Sequence, residues 1–284
     1  MKLRFLGTSA AGGYPNPHCR CENCMAARES GGKSIRMMCS AIIDDDLLID
    51  LGPNIAGACL RFGIDLANVR WVLQTHSHGD HLLALHASAR AASWAAKNAQ
   101  PMEWFLNQAG VEVIIEGNSK SLPKMSMVID DDAPAQLTLT TINPWQVLKL
   151  GPYRVLTIPA NHASAPNPMI FAIRKDGRSV LYGSDTSSLS EDVWPKVAEL
   201  GWNFDVVIFD HNDGFTRDVS ATHMGSRAAL TEFERMRSLG IVNEGTRLFG
   251  THIAHHSNGT HEVESARAQA LGYDIAHDGL IVDI

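Results

Sequence analysis

The residues with the clearest chemical signal form the stretch THSHGDH at positions 75–81. It follows the apolar segment Val69–Leu73, which predicts a short strand, so the stretch lies where a strand ends and a loop begins. Imidazole and carboxylate groups suit zinc, manganese or iron, and two cations about 3.5–4 Å apart can share and activate one water. The alternative is a polar loop that is merely rich in histidine. Four candidate ligands within six residues favour a metal site. They are His76, His78, Asp80 and His81.

Later apolar segments also end in side chains that bind metals. His162 follows the segment 157–160, Asp185 follows 179–184, Asp210 closes 206–210 and His252 follows 247–251. Strands that each end in such a residue indicate sheet ends that meet at one pocket.

Three of the five cysteines form the pattern C-x-C-x2-C at Cys19, Cys21 and Cys24. In a reducing compartment this spacing indicates a metal site rather than a disulfide framework. Three thiolates are one ligand short of a tetrahedral structural zinc site, so the fourth ligand must come from elsewhere in the chain. Cys39 and Cys59 are isolated and are expected to act as small buried hydrophobic residues.

Composition limits the function. The chain of 284 residues is 45% hydrophobic and 19% charged, a composition typical of a globular protein. Its net charge of −7 argues against a general nucleic-acid binder. A small anionic substrate is still compatible, because bound metals reverse the local charge. No apolar run is long enough to span a membrane and no secretory signal opens the chain, so we expect a cytoplasmic protein. No linker separates the halves, so we predict a single domain over 1–284.

Periodicity predicts the elements that position these residues. We expect paired strands at 39–43 and 47–50, a helix at 55–62, a long helix at 82–98 and a hairpin from 146–150 to 153–158. We expect an insertion around 98–135, most exposed at 118–135, and buried side chains at Trp94 and Trp104.

The pattern H-x-H-x-D-H resembles the signature of the metallo-β-lactamase superfamily. This resemblance implies an α/β (α+β) fold, the αββα sandwich, with a hydrolytic metal site at one edge. It also implies a third histidine, a bridging aspartate and a last histidine further along the chain, and His162, Asp185 and His252 stand in that order. Carried over, the first metal binds His76, His78 and His162, the second binds Asp80, His81 and His252, and Asp185 bridges them.

A hydroxide held between two cations is a nucleophile near neutral pH, and the cations screen charge that develops on a phosphoryl or acyl oxygen. Asp80, next to that hydroxide, would orient it or accept its proton.

The cysteine pattern and the segments at 251–255 and 276–280 resemble the phosphodiesterase family of carbon–phosphorus lyase pathways. Its members open a five-membered cyclic phosphate on phosphoribose. The resemblance implies a structural zinc on Cys19, Cys21, Cys24 and His255, with His256 as the alternative fourth ligand. It also gives His223 a role in contacting the phosphate and protonating the leaving oxygen. A helix-capping or surface histidine is the alternative there, and residues 211–213 could equally line the pocket.

The leading hypothesis is therefore a phosphodiesterase with two divalent metals, zinc or manganese with iron as a further option, and one structural zinc. Its expected partner is a small anionic phosphate ester, with no nucleic acid and no membrane. A homodimer is one option for the oligomeric state. The alternatives are an iron-dependent oxygenase resembling pyrroloquinoline quinone biosynthesis protein B, a lactone or thioester hydrolase, a tRNA 3′-end endonuclease and a zinc-stabilised binding protein.

Overall fold

The computed structural model describes residues 1–91, 96–121, 137–217 and 220–284. Within these ranges the strands form two sheets of seven strands each. The first sheet contains β1 (Lys2–Gly7), β2 (Ser40–Ile43), β3 (Leu47–Ile49), β4 (Trp71–Leu73), β5 (Met102–Leu106), β6 (Leu137–Thr141) and β14 (Ile281–Asp283). Its strand order is β14-β1-β2-β3-β4-β5-β6.

The second sheet has the strand order β13-β12-β11-β10-β9-β8-β7. Its strands are β7 (Val147–Leu150), β8 (Tyr153–Pro159), β9 (Met169–Lys175), β10 (Arg178–Gly183), β11 (Val206–Asp210), β12 (Arg247–Thr251) and β13 (Asp274–Ile275). The α-helices are α1 (Glu22–Ser30), α2 (Ile55–Phe62), α3 (Leu85–Ala91), α4 (Gln108–Ser121), α5 (Val193–Glu199), α6 (Ser226–Ser238) and α7 (His261–Gln269).

The strand β11 shows why helices must cover the sheets. Val206 and Ile208 contribute to the core between the sheets, whereas Val207 and Phe209 contribute to an outer core with α5 and α6. Successive side chains of a strand point to opposite faces, so every residue of this apolar strand is buried. The first sheet is covered in the same way by α2, α3 and α4. This arrangement confirms the predicted αββα sandwich of the metallo-β-lactamase fold.

Parallel strands place their carboxyl ends at a common edge. β3, β4 and β5 run parallel in the first sheet, as do β10, β11 and β12 in the second. The expected hairpins β2–β3 and β7–β8 are confirmed, as is helix α2 over 55–62. The edge formed by these carboxyl ends is therefore where the predicted metal ligands should meet.

Two predictions about the middle of the chain need correction. The long helix at 82–98 is wrong: α3 begins at Leu85, and residues 96–98 are not helical. The backbone N–H groups of Leu82 and Leu83 instead donate to the carbonyls of His78 and Leu51, at 2.9 and 3.1 Å, which holds this segment as a loop. The predicted insertion at 98–135 is too long, because β5 and α4 belong to the layered fold.

Trp104 is buried as expected, in the outer core of the first sheet. Trp94 and the segment 122–136, which holds most of the expected exposed insertion, lie outside the described residues. No helix in the described ranges is both long and apolar enough to cross a membrane.

Candidate metal centre

Loops after four strands bring the predicted ligands to one edge of the sandwich. β4 leads into the stretch 75–81, β8 into His162, β10 into Asp185 and β12 into His252. We call the resulting set the histidine–carboxylate cluster: His76, His78, Asp80, His81, His162, Asp185 and His252. Potential ligand atoms lie within 4.8 Å of one another in the groups His76–His78–His162, Asp80–His81–His252 and His76–His81–Asp185. All seven sequence-predicted residues are thus brought together.

The contacts of the His81 ring indicate that a cation fits between these residues. Its Nδ1 lies 2.7 Å from Asp50 Oδ2 and donates to it. In the neutral ring this leaves the lone pair on Nε2, which faces Asp185 Oδ2 at 3.0 Å. Among the described residues, neither of these two atoms has a hydrogen-bond partner. Two facing acceptors repel unless a cation lies between them, so the geometry fits a metal ion.

Three further rings repeat this arrangement, with Nδ1 held by the protein and Nε2 directed inward, whereas His78 is reversed, with Nε2 at 3.2 Å from the Ser164 carbonyl and Nδ1 directed inward. His162 Nδ1 donates to the carbonyl of Thr222 at 2.9 Å, and His76 Nδ1 lies 3.0 Å from Thr75 Oγ1. His252 Nδ1 lies 3.4 Å from Asp210 Oδ2, and its Nε2 lies 3.2 Å from Asp185 Oδ1. Such partners orient metal-binding histidines and set their tautomer.

The charges in this cluster also call for cations. Burial opposes protonation of His81, but Asp185, Asp50 and Asp80 raise its pKa well above the ordinary value. Burial likewise opposes ionisation of Asp185, but His252 and His81 hold its pKa well below the usual range. Asp185 and Asp80, whose pKa values both lie below the usual range, are therefore ionised and attract positive charge to the space beside them. Divalent metals would supply that charge without a proton on each ring.

Backbone conformation at the site is unusual for the residue types present. Asp50, Asp185 and His252 have φ values of 61°, 52° and 61°. Non-glycine residues rarely adopt this left-handed region, and such conformations concentrate at functional sites, where the surrounding structure enforces them. Each of the three residues follows the carboxyl end of a strand, so the reversal of the chain turns its side chain toward the neighbouring strands.

His223 lies beside the histidine–carboxylate cluster. Its Nδ1 is 2.8 Å from Asp210 Oδ2, and its ring centroid is 5.0 Å from that of His162 and 5.2 Å from that of His252. Burial opposes its protonation, but Asp210 raises its pKa above the ordinary value. His223 does not cap a helix, because the N-cap residue of α6 is Gly225 and no side chain makes a capping hydrogen bond there.

A cleft of about 400 Å³ opens over these residues. Its wall includes His78, His162, His223, Asp185 and His252, together with Ser164, Asn212, Asp213, Arg217, Ser220, Thr222 and His256. The cluster is therefore buried on its protein side and accessible from this cleft. Of the stretch 211–213, Asn212 and Asp213 line the cleft, but His211 does not: it is buried against Phe215 and Tyr273.

The cysteines form a second group, which we call the cysteine cluster: Cys19, Cys21, Cys24 and His255. Their ligand atoms lie within 4.8 Å of one another, and His256 is not among them. The hydrogen bond from the His255 ring, 3.7 Å away, lowers the pKa of the Cys21 thiol to about 6, whereas burial raises that of Cys24 to about 11. Among the two remaining cysteines, Cys39 is buried as expected and Cys59 is only partly buried.

Sequence reasoning missed Asp50 and noted Asp210 only as a strand end without a role, yet both are buried carboxylates that support the cluster. Asp50 accepts from His81 and from the hydroxyl of Thr75, and Asp210 accepts from His223. Each comes directly after, or at the end of, an apolar strand. The same signal that selected Asp185 could therefore have selected both.

Comparison with known proteins agrees with the geometry. A family model described as the beta-lactamase superfamily domain matches residues 46–253. Coenzyme PQQ synthesis protein B from Methylobacterium radiotolerans is 23% identical, with 100% of both chains covered.

Solved structures share the fold. A diphosphatase from the PhnP family has a TM-score of 0.75 at 21% identity, covering 100% of this chain and 97% of its own. Zn²⁺-bound PqqB from Methylobacterium extorquens has a TM-score of 0.73 at 18% identity, covering 100% of both chains. The short form of human tRNase Z has a TM-score of 0.66 at 18% identity, covering 100% of this chain and 99% of its own. With the family model spanning most of its length, the chain belongs to the beta-lactamase superfamily and has the fold of that superfamily's metal-dependent hydrolases.

Proposed function

We propose that this protein is a metal-dependent phosphodiesterase that hydrolyses a small, anionic cyclic phosphate ester. In this proposal His76, His78 and His162 would hold one divalent metal, Asp80, His81 and His252 would hold a second, and Asp185 would serve both. The observation that carries the proposal is the position of His81 Nε2, which points inward and faces Asp185 Oδ2 at 3.0 Å while its Nδ1 is held by Asp50. Zinc and manganese both suit this set of imidazole and carboxylate donors.

Charge balance supports two cations rather than one. Asp50, Asp185 and Asp210 are buried, and Asp80 lies largely buried beside them. Buried carboxylates are costly unless they are paired or bind metals. Two divalent ions would offset four carboxylates while leaving the imidazoles neutral. When bound, such ions supply Lewis acidity that activates water and screens charge on the phosphoryl oxygens.

The remaining polar groups of the cleft suit the steps of phosphodiester hydrolysis. Asp80 lies where it would orient the attacking water or accept its proton. His223, held by Asp210, would donate a proton to the oxygen of the departing alcohol. Exposed Arg217 at the cleft supplies a cation for the substrate phosphate. Proton donation to an alkoxide leaving group is needed for phosphate esters of ordinary alcohols, which leave poorly as anions.

The cleft volume of about 400 Å³ suits a small molecule. The net charge of −7 disfavours a long polyanion such as tRNA. We also propose that the cysteine cluster binds one structural zinc, since three sulfurs and one imidazole within 4.8 Å of one another are the donor set of a closed zinc site.

The test is turnover of a five-membered cyclic phosphate on phosphoribose, followed by phosphorus NMR. Protein stripped of metal should be inactive, and manganese or zinc should restore ring opening. Turnover that persists after metal removal would refute the metal-dependent mechanism. A fully loaded protein that leaves this and other cyclic phosphodiesters intact would refute the phosphodiesterase.

A second candidate is favoured by the full-length similarity to coenzyme PQQ synthesis protein B at 23% identity. Under this alternative the cluster binds iron and supports an oxidation. Iron in the protein as isolated, with oxygen consumption in the presence of a reduced organic substrate, would favour it. Zinc or manganese without oxygen consumption would favour hydrolysis.

A further inference from the structure

Asp213 lies in the wall of the cleft but has no role in the proposed chemistry. It is 3% exposed, and its Oδ2 has no hydrogen-bond partner among the described residues. An unpaired buried carboxylate oxygen forgoes the hydrogen bonds that water would give it, which destabilises the folded protein. Buried polar groups without partners are uncommon and call for an explanation. A ligand in the cleft that donates a hydrogen bond to this oxygen would explain why it has no partner in the protein.

The backbone around Asp213 is held firmly, so its position is not that of a loose loop. The N–H of Asp213 donates to the carbonyl of Met224 at 3.0 Å, and its carbonyl accepts from the N–H of Thr216 at 3.1 Å. Gly225 packs against the same loop: a Cβ there would lie 2.4 Å from the carbonyl oxygen of Arg217 and 2.8 Å from that of Gly214. The carboxylate is therefore positioned before any substrate arrives.

The residues around Asp213 determine which type of hydrogen-bond donor its carboxylate can bind. Arg217 and His256 line the same cleft and are exposed, whereas Asp213 is buried. A cationic amine would be repelled by the arginine beside it. A second anionic group would be repelled by Asp213 itself. A neutral hydroxyl satisfies the carboxylate without either penalty, and carboxylates accept strongly from hydroxyl groups.

We propose that Asp213 is a substrate-recognition residue that accepts a hydrogen bond from a hydroxyl on the organic part of the substrate. The preferred substrates are then phosphate esters of polyhydroxylated alcohols rather than of simple alkyl or aryl alcohols. This inference rests on the proposed function for its reaction, but the recognition step itself is one of binding.

The experiment compares two pairs of probes that differ by a single hydroxyl. Glycerol cyclic phosphate and propanediol cyclic phosphate test turnover by the manganese-loaded protein. Glycerol 2-phosphate and the matching propanediol phosphate test binding by titration calorimetry. The wild type should favour the glycerol compound in each pair by about ten- to hundredfold, as expected for a hydrogen bond to a charged group.

Asp213→Ala should abolish this preference while propanediol cyclic phosphate is turned over within about twofold of the wild type. Asp213→Asn, which keeps one acceptor oxygen, should retain part of the preference for the glycerol compound. Because the wild-type carboxylate is unpaired, Asp213→Ala should melt at or above the wild-type temperature. Glu191→Ala, an exposed acidic residue outside the cleft, is the matched control and should keep the full preference.

The outcomes separate the two proposals. Discrimination in binding without turnover of either cyclic ester would uphold Asp213 and refute the phosphodiesterase. A wild type that binds or turns over both members of a pair equally would overturn the role of Asp213. So would an Asp213→Ala protein that keeps the preference, or one that melts lower and loses activity on both substrates alike.

Discussion

His252 belongs to the histidine–carboxylate cluster and His255, three positions later, to the cysteine cluster, so one short segment joins two sites of different character. In the first, the Nδ1 atoms of His81 and His252 each pair with a buried carboxylate, and the set faces a cleft. In the second, His255 contacts the ligands of its own set, and the four residues close on one another. The first site opens to a cleft with room for a substrate, whereas the second supplies four protein donors, as structural zinc sites do.

The largest expected effect is a loss of activity without a loss of stability, which distinguishes the histidine–carboxylate cluster from the cysteine cluster. Asp80→Asn removes a carboxylate from the histidine–carboxylate cluster, so kcat/KM should fall by at least ~10³-fold. The melting temperature should stay close to that of the wild type, because Asp80 lies on the cleft side of the cluster. Turnover of the cyclic phosphate and thermal melting are the measurements. Asp176→Asn, an exposed turn residue, is the control, and wild-type rates in Asp80→Asn would remove Asp80 from the mechanism.

The second effect asks whether His223 acts on the leaving group. His223→Gln should lower turnover of the alkyl cyclic phosphate by about 10²–10⁴-fold, because the departing alkoxide then lacks a proton donor. Bis(p-nitrophenyl) phosphate, whose leaving group departs as a stable anion, should be affected far less. Steady-state kinetics on both substrates give the ratio. Equal losses on the two would assign His223 to phosphate binding or structure instead of acid catalysis.

The third effect should appear in stability rather than in catalysis. Cys21→Ser removes one ligand of the cysteine cluster and should release one zinc per chain and lower the free energy of unfolding by about 4 kcal/mol. Metal analysis and urea unfolding measure both. Cys59→Ser, outside the cluster, should keep the full zinc content. A Cys21→Ser protein with unchanged zinc and unchanged stability would show that the cysteine cluster is not a zinc site.

The smallest effect comes from a histidine outside both clusters. Arg36 Nη2 lies 2.9 Å from His261 Nδ1, and burial together with Arg36 lowers the pKa of His261 to about 3. Since the unfolded value is about 6.5, the stability this neutral ring contributes is complete above about pH 6.5 and is lost as pH falls toward 3. By about pH 5 the loss is about 2 kcal/mol.

His261→Gln keeps an acceptor for Arg36 but cannot titrate, so its stability should decline less between about pH 7 and pH 5 than that of the wild type. Urea unfolding at the two pH values measures the difference. Parallel pH dependence in the two proteins would show that His261 is not the titrating group.

Much of the site can be predicted from local sequence, because its first four expected ligands lie within six residues in the loop after β4. His162, Asp185 and His252 are distant, yet each follows an apolar strand, and carboxyl ends of such strands meet at one edge. Asp50 and Asp210 were given no role because a sequence does not show which strand-end carboxylates face the ligands and which face solvent.

The middle of the chain was predicted less well for a physical reason. Alanine-rich spacing from 82 onward favours helix, but the backbone of Leu82 and Leu83 is held by the carbonyls of His78 and Leu51. Local propensity therefore yields to the tertiary contacts that shape the metal loop. β5 was missed because its burial, as a strand between β4 and β6, depends on pairing with distant segments.

The central claim is that the histidine–carboxylate cluster directs water at a phosphodiester. The most direct test runs the reaction of the metal-loaded protein in water labelled with heavy oxygen and reads the product by phosphorus NMR and mass spectrometry. We expect one heavy oxygen atom on the product phosphate, no oxygen consumption, and no label in the Asp80→Asn variant. Consumption of molecular oxygen with an unlabelled phosphate, or labelling that survives in Asp80→Asn, would contradict the account.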